Sequence, residues 1–293
     1  MRDAGSSDEL KAGASPAVAG EAGAIDAASH PGTVNSLRQD LRSLGVSVGM
    51  TLLVHSSMSA LGWVAGGPQA AIEALLAAVG DDGTLVMPTH STGLSEPSLW
   101  RNPPVPESWW PIIREETPPF DARLTPTRMM GVIAEGFRTY PGVRRSRHPQ
   151  ESFAACGPNA GLVVDNHSLD HGLGDASPLG RLYDLDGYIL LLGVGHANNT
   201  TLHLAEYRAD SPGKEWVTQG GPLMVDGERR WVTFEDLEGN SDDFEEIGEA
   251  FAASGFERRA PVGSGEGRLM GVRELVDFAA DWMTTHRSDL TDS

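Results

Sequence analysis

Apolar residues fall along this chain in two alternating rhythms. Behind Thr33 or Asn35, either a good helix cap, Leu37, Leu41 and Leu44 recur at helical spacing, and Gly45 stops the run. A continuous apolar stretch from Met50 to His55 follows, with the length and composition of a buried strand. A Ser- and Gly-rich turn leads through Gly66-Gly67 to Pro68, which opens a helix at a first-turn position that proline favours. Ile72, Leu75, Leu76 and Val79 give that helix its apolar face, and Gly80 ends it. Asp81-Asp82-Gly83 then turns the chain into a second strand, Thr84 to Met87. Strand, loop, helix, turn and strand make the unit from which parallel sheets are built.

The rhythm lapses over 91–125, a proline-rich stretch holding Trp109-Trp110, and a loop this long in a compact enzyme often walls a substrate site. It resumes with a helix predicted over 126–140, a strand over 152–156 and a short helix from Pro178 to Leu185. Tyr188 to Val194 is the clearest buried strand, and 199–208 reads as a helix entered through a polar turn. Residues 215–234 predict an antiparallel hairpin turning at Asp226-Gly227, with further helices over 244–254 and 271–285. The pattern predicts one α/β domain (α+β is the alternative) over 33–286, with a mixed, mostly parallel sheet flanked by helices. Residues 1–32, rich in Ala, Gly, Ser and acid, read as a disordered extension, and 287–293 as a flexible tail.

Charge narrows the class. Acidic residues number 41 against 22 basic, a net charge of −19, which disfavours partners held through phosphates, nucleic acid and anionic membranes among them. Cationic ligands are attracted instead. No apolar run nears the roughly 20 residues of a membrane span, and the basic start is followed by no apolar signal core. The single cysteine, Cys156, rules out an internal disulfide and fits a cytoplasmic location.

The densest polar constellation follows the clearest strand, from Gly195 to Glu206. Ligands in α/β folds gather where strand ends meet helix N-termini. On a helix Thr200, His203 and Glu206 are each three apart and share one face. Imidazole is suited to moving a proton near neutrality, and a carboxylate beside it holds its tautomer. His55-Ser56-Ser57, after the first strand, offers hydroxyl and backbone N–H groups to a carbonyl or phosphate. Neither a phosphate-loop motif nor a serine-hydrolase elbow surrounds it. His167 and His171, four apart among aspartates, are weakened as a metal pair by the adjacent Gly172 and Gly174. Arg144 to His148 is the one basic cluster, open to an anionic cofactor or to solvent. From Glu235 to Glu249 eight of fifteen residues are acidic and none is basic, which suits either a solvated face or a polyamine.

Many stretches in order resemble the aminoglycoside 3-N-acetyltransferase family: Leu53 to Ser57, Gly66-Gly67-Pro68, GTLVMPTHS (83–91), PPFD (118–121) and TPTRMMGVIAE (125–135). They continue through RRSRHPQESFAACG (144–157), NHSLDHGLGDASPLGRL (166–182), GVGHANNTTLHLAEYRA (193–209) and DDFEEIG (242–248). The resemblance implies a fold distinct from the small N-acetyltransferase superfamily, and acetyl transfer from acetyl-CoA to the 3-amine of a 2-deoxystreptamine antibiotic, without a metal. It implies His203 as the catalytic histidine, and Glu245, beside Glu246, as the carboxylate that orients it. Asp170 and Glu206 fall on the antibiotic side, and His55, Ser56 and Ser57 meet the pantetheine arm. The readings that compete with it are an acetyltransferase of this fold acting on another amine, and a non-catalytic polycation binder.

Overall fold

The computed structural model describes residues 16–287. At its centre lies a seven-stranded sheet in the order β3-β4-β2-β1-β5-β9-β8, where β1 is Thr51–Ser56, β2 Thr84–Pro88, β3 Arg144–Arg145, β4 Phe153–Cys156, β5 Tyr188–Leu192, β8 Arg258–Val262 and β9 Gly265–Gly271. The central strands β2, β1 and β5 pair in parallel, and antiparallel β4 and β9 flank them. Five of the seven strands consequently point the same way, the mixed, mostly parallel sheet that the pattern predicts.

Alternation along the strands splits the core into two layers. Leu52, Val54, Leu85 and Met87 face one side, where α2 (Val34–Leu44), α3 (Gly67–Val79) and α5 (Gly131–Arg138) cover them. Leu53, Val86, Ile189 and Leu191 face the other, against α6 (Ala160–Val164), α7 (Pro178–Asp184), α8 (Thr201–Arg208), α9 (Phe244–Ala253) and α10 (Val272–His286). Helix α2 begins in a reciprocal capping box between Thr33 and Ser36 and ends at Gly45, whose φ of 119° is accessible to glycine at little cost. A separate hairpin, β6 (Trp216–Val225) and β7 (Glu228–Leu237), turns at Asp226-Gly227 with φ of 52° and 82°, as the Asp-Gly pair predicts. No helix among the described residues is long and apolar enough to cross a membrane.

Several expectations are corrected. Residues 16–27, expected to be disordered, form helix α1 (Pro16–Ala27), where Glu21 accepts a hydrogen bond from the Trp63 indole at 3.0 Å, and Gly32 bridges to Val64; the remainder of that expectation, 1–15, lies outside the described residues. At the other end Arg287, assigned to a flexible tail, is tied into the fold by four side-chain hydrogen bonds, and 288–293 lie outside the described residues. The helix predicted over 126–140 spans only Gly131–Arg138, because Met129 and Gly131 take positive φ and fold the preceding segment into a turn. Within 91–125 lies a short helix, α4 (Trp110–Glu116). The β8–β9 hairpin has no counterpart in the predicted elements.

A candidate active-site cleft at the carboxyl ends of the central strands

Strands β1, β2 and β5 all deliver their carboxyl ends to one rim of the sheet. Beyond that rim lie His55 to Ser57, Thr89 to Ser91, and the segment from Gly193 that turns through His196–Asn198 into α8. Two chambers open there. The first, about 520 Å³, is lined by His55, Ser56, Ser57, Met58 and Val132, among others, and no carboxylate lines it. The second, about 430 Å³, is lined by His90, Glu151, His203, Glu206, Tyr207 and Phe244. Met129, Met130, Asn198 and Thr200 line both, so the chambers meet at the N-terminal end of α8.

His203 lines the second chamber, three residues beyond Thr200 at that meeting point. Its Nδ1 lies 2.6 Å from Glu206 Oε2. A carboxylate only accepts, so Nδ1 carries the proton and Nε2 presents its lone pair to the cleft. The Phe244 ring meets the imidazole edge-on, with centroids 4.8 Å apart, and Gly239 backs it so closely that an added Cβ would lie 3.0 Å from Nδ1. Glu206, expected to face substrate, lies behind the histidine with its side chain 3 % exposed. Its other oxygen, Oε1, accepts from Arg287 Nη1 at 2.8 Å and from the Asn240 N–H at 3.0 Å.

Glu245, expected as the orienting carboxylate, does not touch His203. It sits in the first turn of α9, accepts the Ala197 N–H at 3.1 Å and faces Arg268 at 3.6 Å. It braces the 196–198 turn that leads into α8. That turn is also held from below: buried His196 donates to Glu257 at 2.7 Å, and Arg259 completes the pair. Burial opposes the charge on Glu257, but the His196 and Arg259 bonds outweigh it and hold its carboxyl below the usual range. Gly248 lets α9 lie flush here, since an added Cβ would come within 2.2 Å of the His196 ring. Glu246 is exposed.

His55 and His90 are buried near the junction, and burial, with the neighbouring imidazoles, lowers the pKa of each to about 3. Both therefore stay neutral, and neither Nε2 finds a partner within the fold. Ser57 takes its backbone N–H to the Leu192 carbonyl, and its hydroxyl pairs with that of Ser59 at 3.0 Å. Asp170 lines neither chamber; it is exposed, accepting the Glu235 N–H at 2.9 Å on a loop beside β7. The neighbouring His171 ring lies 5.8 Å from that of Tyr207 in the chamber wall.

Glu151, in the wall of chamber two, meets buried His148 and Asp236 behind it, a cluster that the sequence reading did not assemble. Carboxylate oxygens of Glu151 and Asp236 and a ring nitrogen of His148 lie within 4.8 Å of one another. The spacing suits a metal, but the donor set does not. His148 Nδ1 accepts the Gln150 and Glu151 N–H groups and its Nε2–H donates to the Leu169 carbonyl, so neither nitrogen is free to ligate. Burial and then Asp236 push the Glu151 carboxyl well above the usual range, and Glu151 Oε2 has no partner in the fold. Burial also raises Asp236, against the opposing pull of the Tyr207 hydroxyl and Leu237 N–H that donate to it. Two buried carboxyls this close share a proton.

The other candidates are structural. His167 spends Nδ1 on Ser146 Oγ at 2.9 Å and Nε2 on the Gly172 carbonyl at 2.6 Å, so it forms no metal pair with His171. In the basic cluster Arg145 is buried, bonded to the Thr89 and Thr125 carbonyls and stacked over Phe120, which pins the 91–125 segment to the sheet. Arg144 pairs with Asp165 at 2.7 Å. Cys156 pairs with Leu85 near the start of β2, away from the cleft, and burial raises its thiol.

Two chambers that meet at the N-terminal end of α8, one free of carboxylates and the other lined by Glu151 and Glu206 beside a histidine, suit an enzyme that works on two substrates. The chain belongs to the aminoglycoside 3-N-acetyltransferase family, whose model matches residues 53–284, and so is an acyltransferase. It is 45% identical over 265 residues to the SPbeta prophage-derived aminoglycoside N(3')-acetyltransferase-like protein YokD of Bacillus subtilis (strain 168), covering 90% of this chain and 97% of that protein. The YokD crystal structure superposes with a TM-score of 0.88 over 90% of this chain and 98% of the other. Aminoglycoside N(3)-acetyltransferase VII of Streptomyces paromomycinus is 38% identical, covering 86% of this chain and 92% of its own. Two ligand-bound structures are also similar. AAC-IIIb, binary with CoASH, is 31% identical with a TM-score of 0.79, covering 87% of this chain and 97% of the other. AAC-VIa, bound to sisomicin, is 33% identical with a TM-score of 0.78, covering 87% and 98%.

Proposed function

We propose that this protein transfers the acetyl group of acetyl-CoA to the 3-amino group of the 2-deoxystreptamine ring of aminoglycoside antibiotics, conferring resistance to them, and that His203 is the general base. The observation that carries the reading is the His203–Glu206 pair in the wall of chamber two, beside Thr200, which lines both chambers. Chamber one, with hydroxyls at Ser56 and Ser57 and apolar Met58 and Val132, suits the amide-bearing arm of the coenzyme. His55 lies at its inner end. Chamber two, with Glu206 in its wall and one negative charge shared between Glu151 and Asp236 behind it, suits a polyamine sugar. Asp170, on the exposed loop beside β7, meets that antibiotic at the outer rim.

The acceptor nitrogen attacks the thioester carbonyl carbon as His203 Nε2 takes its proton. Glu206 holds Nδ1–H and stabilises the imidazolium. The carbon–sulfur bond breaks, and the proton passes from Nε2 to the leaving thiolate. The hydroxyls of Ser57 and Thr200, both in the lining of chamber one, meet the oxyanion. Proximity within the cleft suffices, so no acyl-enzyme forms and Cys156 takes no part.

The test is an assay with acetyl-CoA and a panel of aminoglycosides, following thiol release and locating the new amide. Acetylation at N3 is expected; thiol release that no aminoglycoside stimulates would sink the reading. His203→Ala is expected to lower kcat by roughly 10²–10⁴-fold while KM for the antibiotic is largely kept. Turnover near that of the wild type would remove His203 from the mechanism.

A further inference from the structure

We propose that Arg287, at the C-terminal end of α10, is a positioning residue for the transfer reaction: it holds Glu206 so that one carboxylate oxygen serves His203 and the other serves the guanidinium. The inference rests on the His203 reading given above. Its geometry is explicit. Arg287 Nη1 donates to Glu206 Oε1 at 2.8 Å; Nε and Nη2 donate to the two Asp243 oxygens at 2.8 and 2.7 Å; Nη2 also donates to the Asn240 carbonyl at 2.9 Å. One planar group thus ties together α8, the 240–243 loop and α10, a fork geometry that lysine cannot reproduce. Asn240 in turn gives its N–H to the same Glu206 oxygen. Glu206 Oε2 is left with one partner, His203 Nδ1 at 2.6 Å.

The charges around this pair decide what Arg287 does. His203 faces the neutral imidazoles of His55 on β1 and His90 after β2. Glu206 faces Arg287 from α10 and, at longer range, Lys214, whose ammonium bonds the Tyr207 carbonyl at 3.1 Å. Asp243 adds a second carboxylate beside the guanidinium, and Tyr207 turns its hydroxyl away to Asp236. Arg287 is the cation in direct contact with both Glu206 and Asp243. With it gone, the buried Glu206 carboxylate has only His203 to balance it closely, and the imidazolium is stabilised. The base then stays protonated to higher pH, and its ring loses a fixed orientation.

The test compares wild type, Arg287→Ala and Arg287→Lys. In Arg287→Ala the imidazole of His203, followed by NMR in the free enzyme, is expected to titrate about one pH unit higher. The acid limb of kcat/KM for the antibiotic moves up with it. Activity at neutral pH falls by up to roughly tenfold, the most that a one-unit rise in the base's titration removes, and much of it returns at alkaline pH or on adding guanidinium ion. KM for acetyl-CoA stays near the wild-type value, and Arg287→Lys falls between the two. A uniform loss at every pH, with an unmoved His203 titration and no rescue, would show Arg287 to be a structural brace only and overturn the proposal, as would no loss at all. If wild type acetylates no aminoglycoside, the substrate reading fails, while the His203 titration still decides the role of Arg287.

Discussion

At the scale of single residues, the sharpest contrast is between two glutamates. Glu206 was legible as a partner of His203 because residues three apart on a helix share a face, and α8 realises that spacing at 2.6 Å. Glu245 was assigned through a motif, and what a motif touches depends on tertiary packing; here it meets a backbone N–H of the neighbouring turn. Glu206→Gln keeps an acceptor for Nδ1–H but removes the charge that stabilises the imidazolium, and leaves Arg287 facing an amide. It is expected to lower kcat by roughly 10²–10⁴-fold. Glu245→Gln, at a half-exposed ion pair, should stay within about threefold of wild type, since such pairs contribute little. Equal losses, measured side by side under saturating substrates, would return Glu245 to the catalytic set. Glu151 and Arg287 carried no sequence signal, because each gains its meaning from residues far away in the chain: Asp236 for one, Glu206 for the other. Glu151 yields a second expectation. Its folded-state pKa lies above the unfolded value, so the stability linked to its proton is fully present below the unfolded pKa and is lost as pH rises through the folded one. Glu151→Gln is neutral throughout and escapes that loss. Thermal melts should show the variant gaining on wild type as pH rises from mildly acid to alkaline; a difference that ignores pH would mean that the carboxyl is ionised already.

Elements were legible in proportion to how much of their sequence faces the core. β1, β2 and β5 are buried along nearly their whole length, and each stood out as an apolar run. The β6–β7 turn was legible through Asp-Gly, a local signal that needs no tertiary context. β8 and β9 were not. Arg258, Arg259, Gly263, Gly265 and Gly267 break any apolar rhythm, and β8, at the sheet edge, buries only Val262. Edge strands carry charge because solvent faces them, so alternation fades where the sheet ends. Helix α1 was missed for a related reason: its alanines and glycines have no apolar stripe, and its visible tie is one side-chain bond from Trp63 to Glu21. The shortened α5 shows a third cause. Met129 adopts a positive φ uncommon for its type, and that backbone choice, which helps bring Met129 and Met130 to the cleft junction, is invisible to periodicity. What positions the site is therefore half local, in the strand ends and α8, and half assembled by elements whose sequences say little.

Over the whole molecule the decisive quantity is the distribution of a net charge of −19. The acidic run from Glu235 to Glu249 is not spread over a distant face. It is the end of β7, the following loop and the start of α9; its uncharged members Leu237, Gly239, Ser241 and Phe244 line chamber two, and its carboxylates stand around that lining rather than in it. Chamber one has no carboxylate in its lining. The two substrates of the proposed reaction carry opposite charge, and the protein offers each a different electrostatic surface. A negative field steers a polycation toward chamber two and does nothing to hold a coenzyme that bears phosphates. Salt separates the two cases, because the screening length shrinks from about 30 Å at 0.01 M to about 8 Å at 0.15 M. Raising ionic strength across that range is expected to increase KM for the aminoglycoside by roughly three- to tenfold, while KM for acetyl-CoA holds steady or falls as repulsion is screened. Steady-state titration of each substrate at saturating levels of the other reads both constants. An aminoglycoside KM indifferent to salt would mean that the acidic run serves solubility, and that antibiotic affinity is set by short-range contacts in the chamber wall.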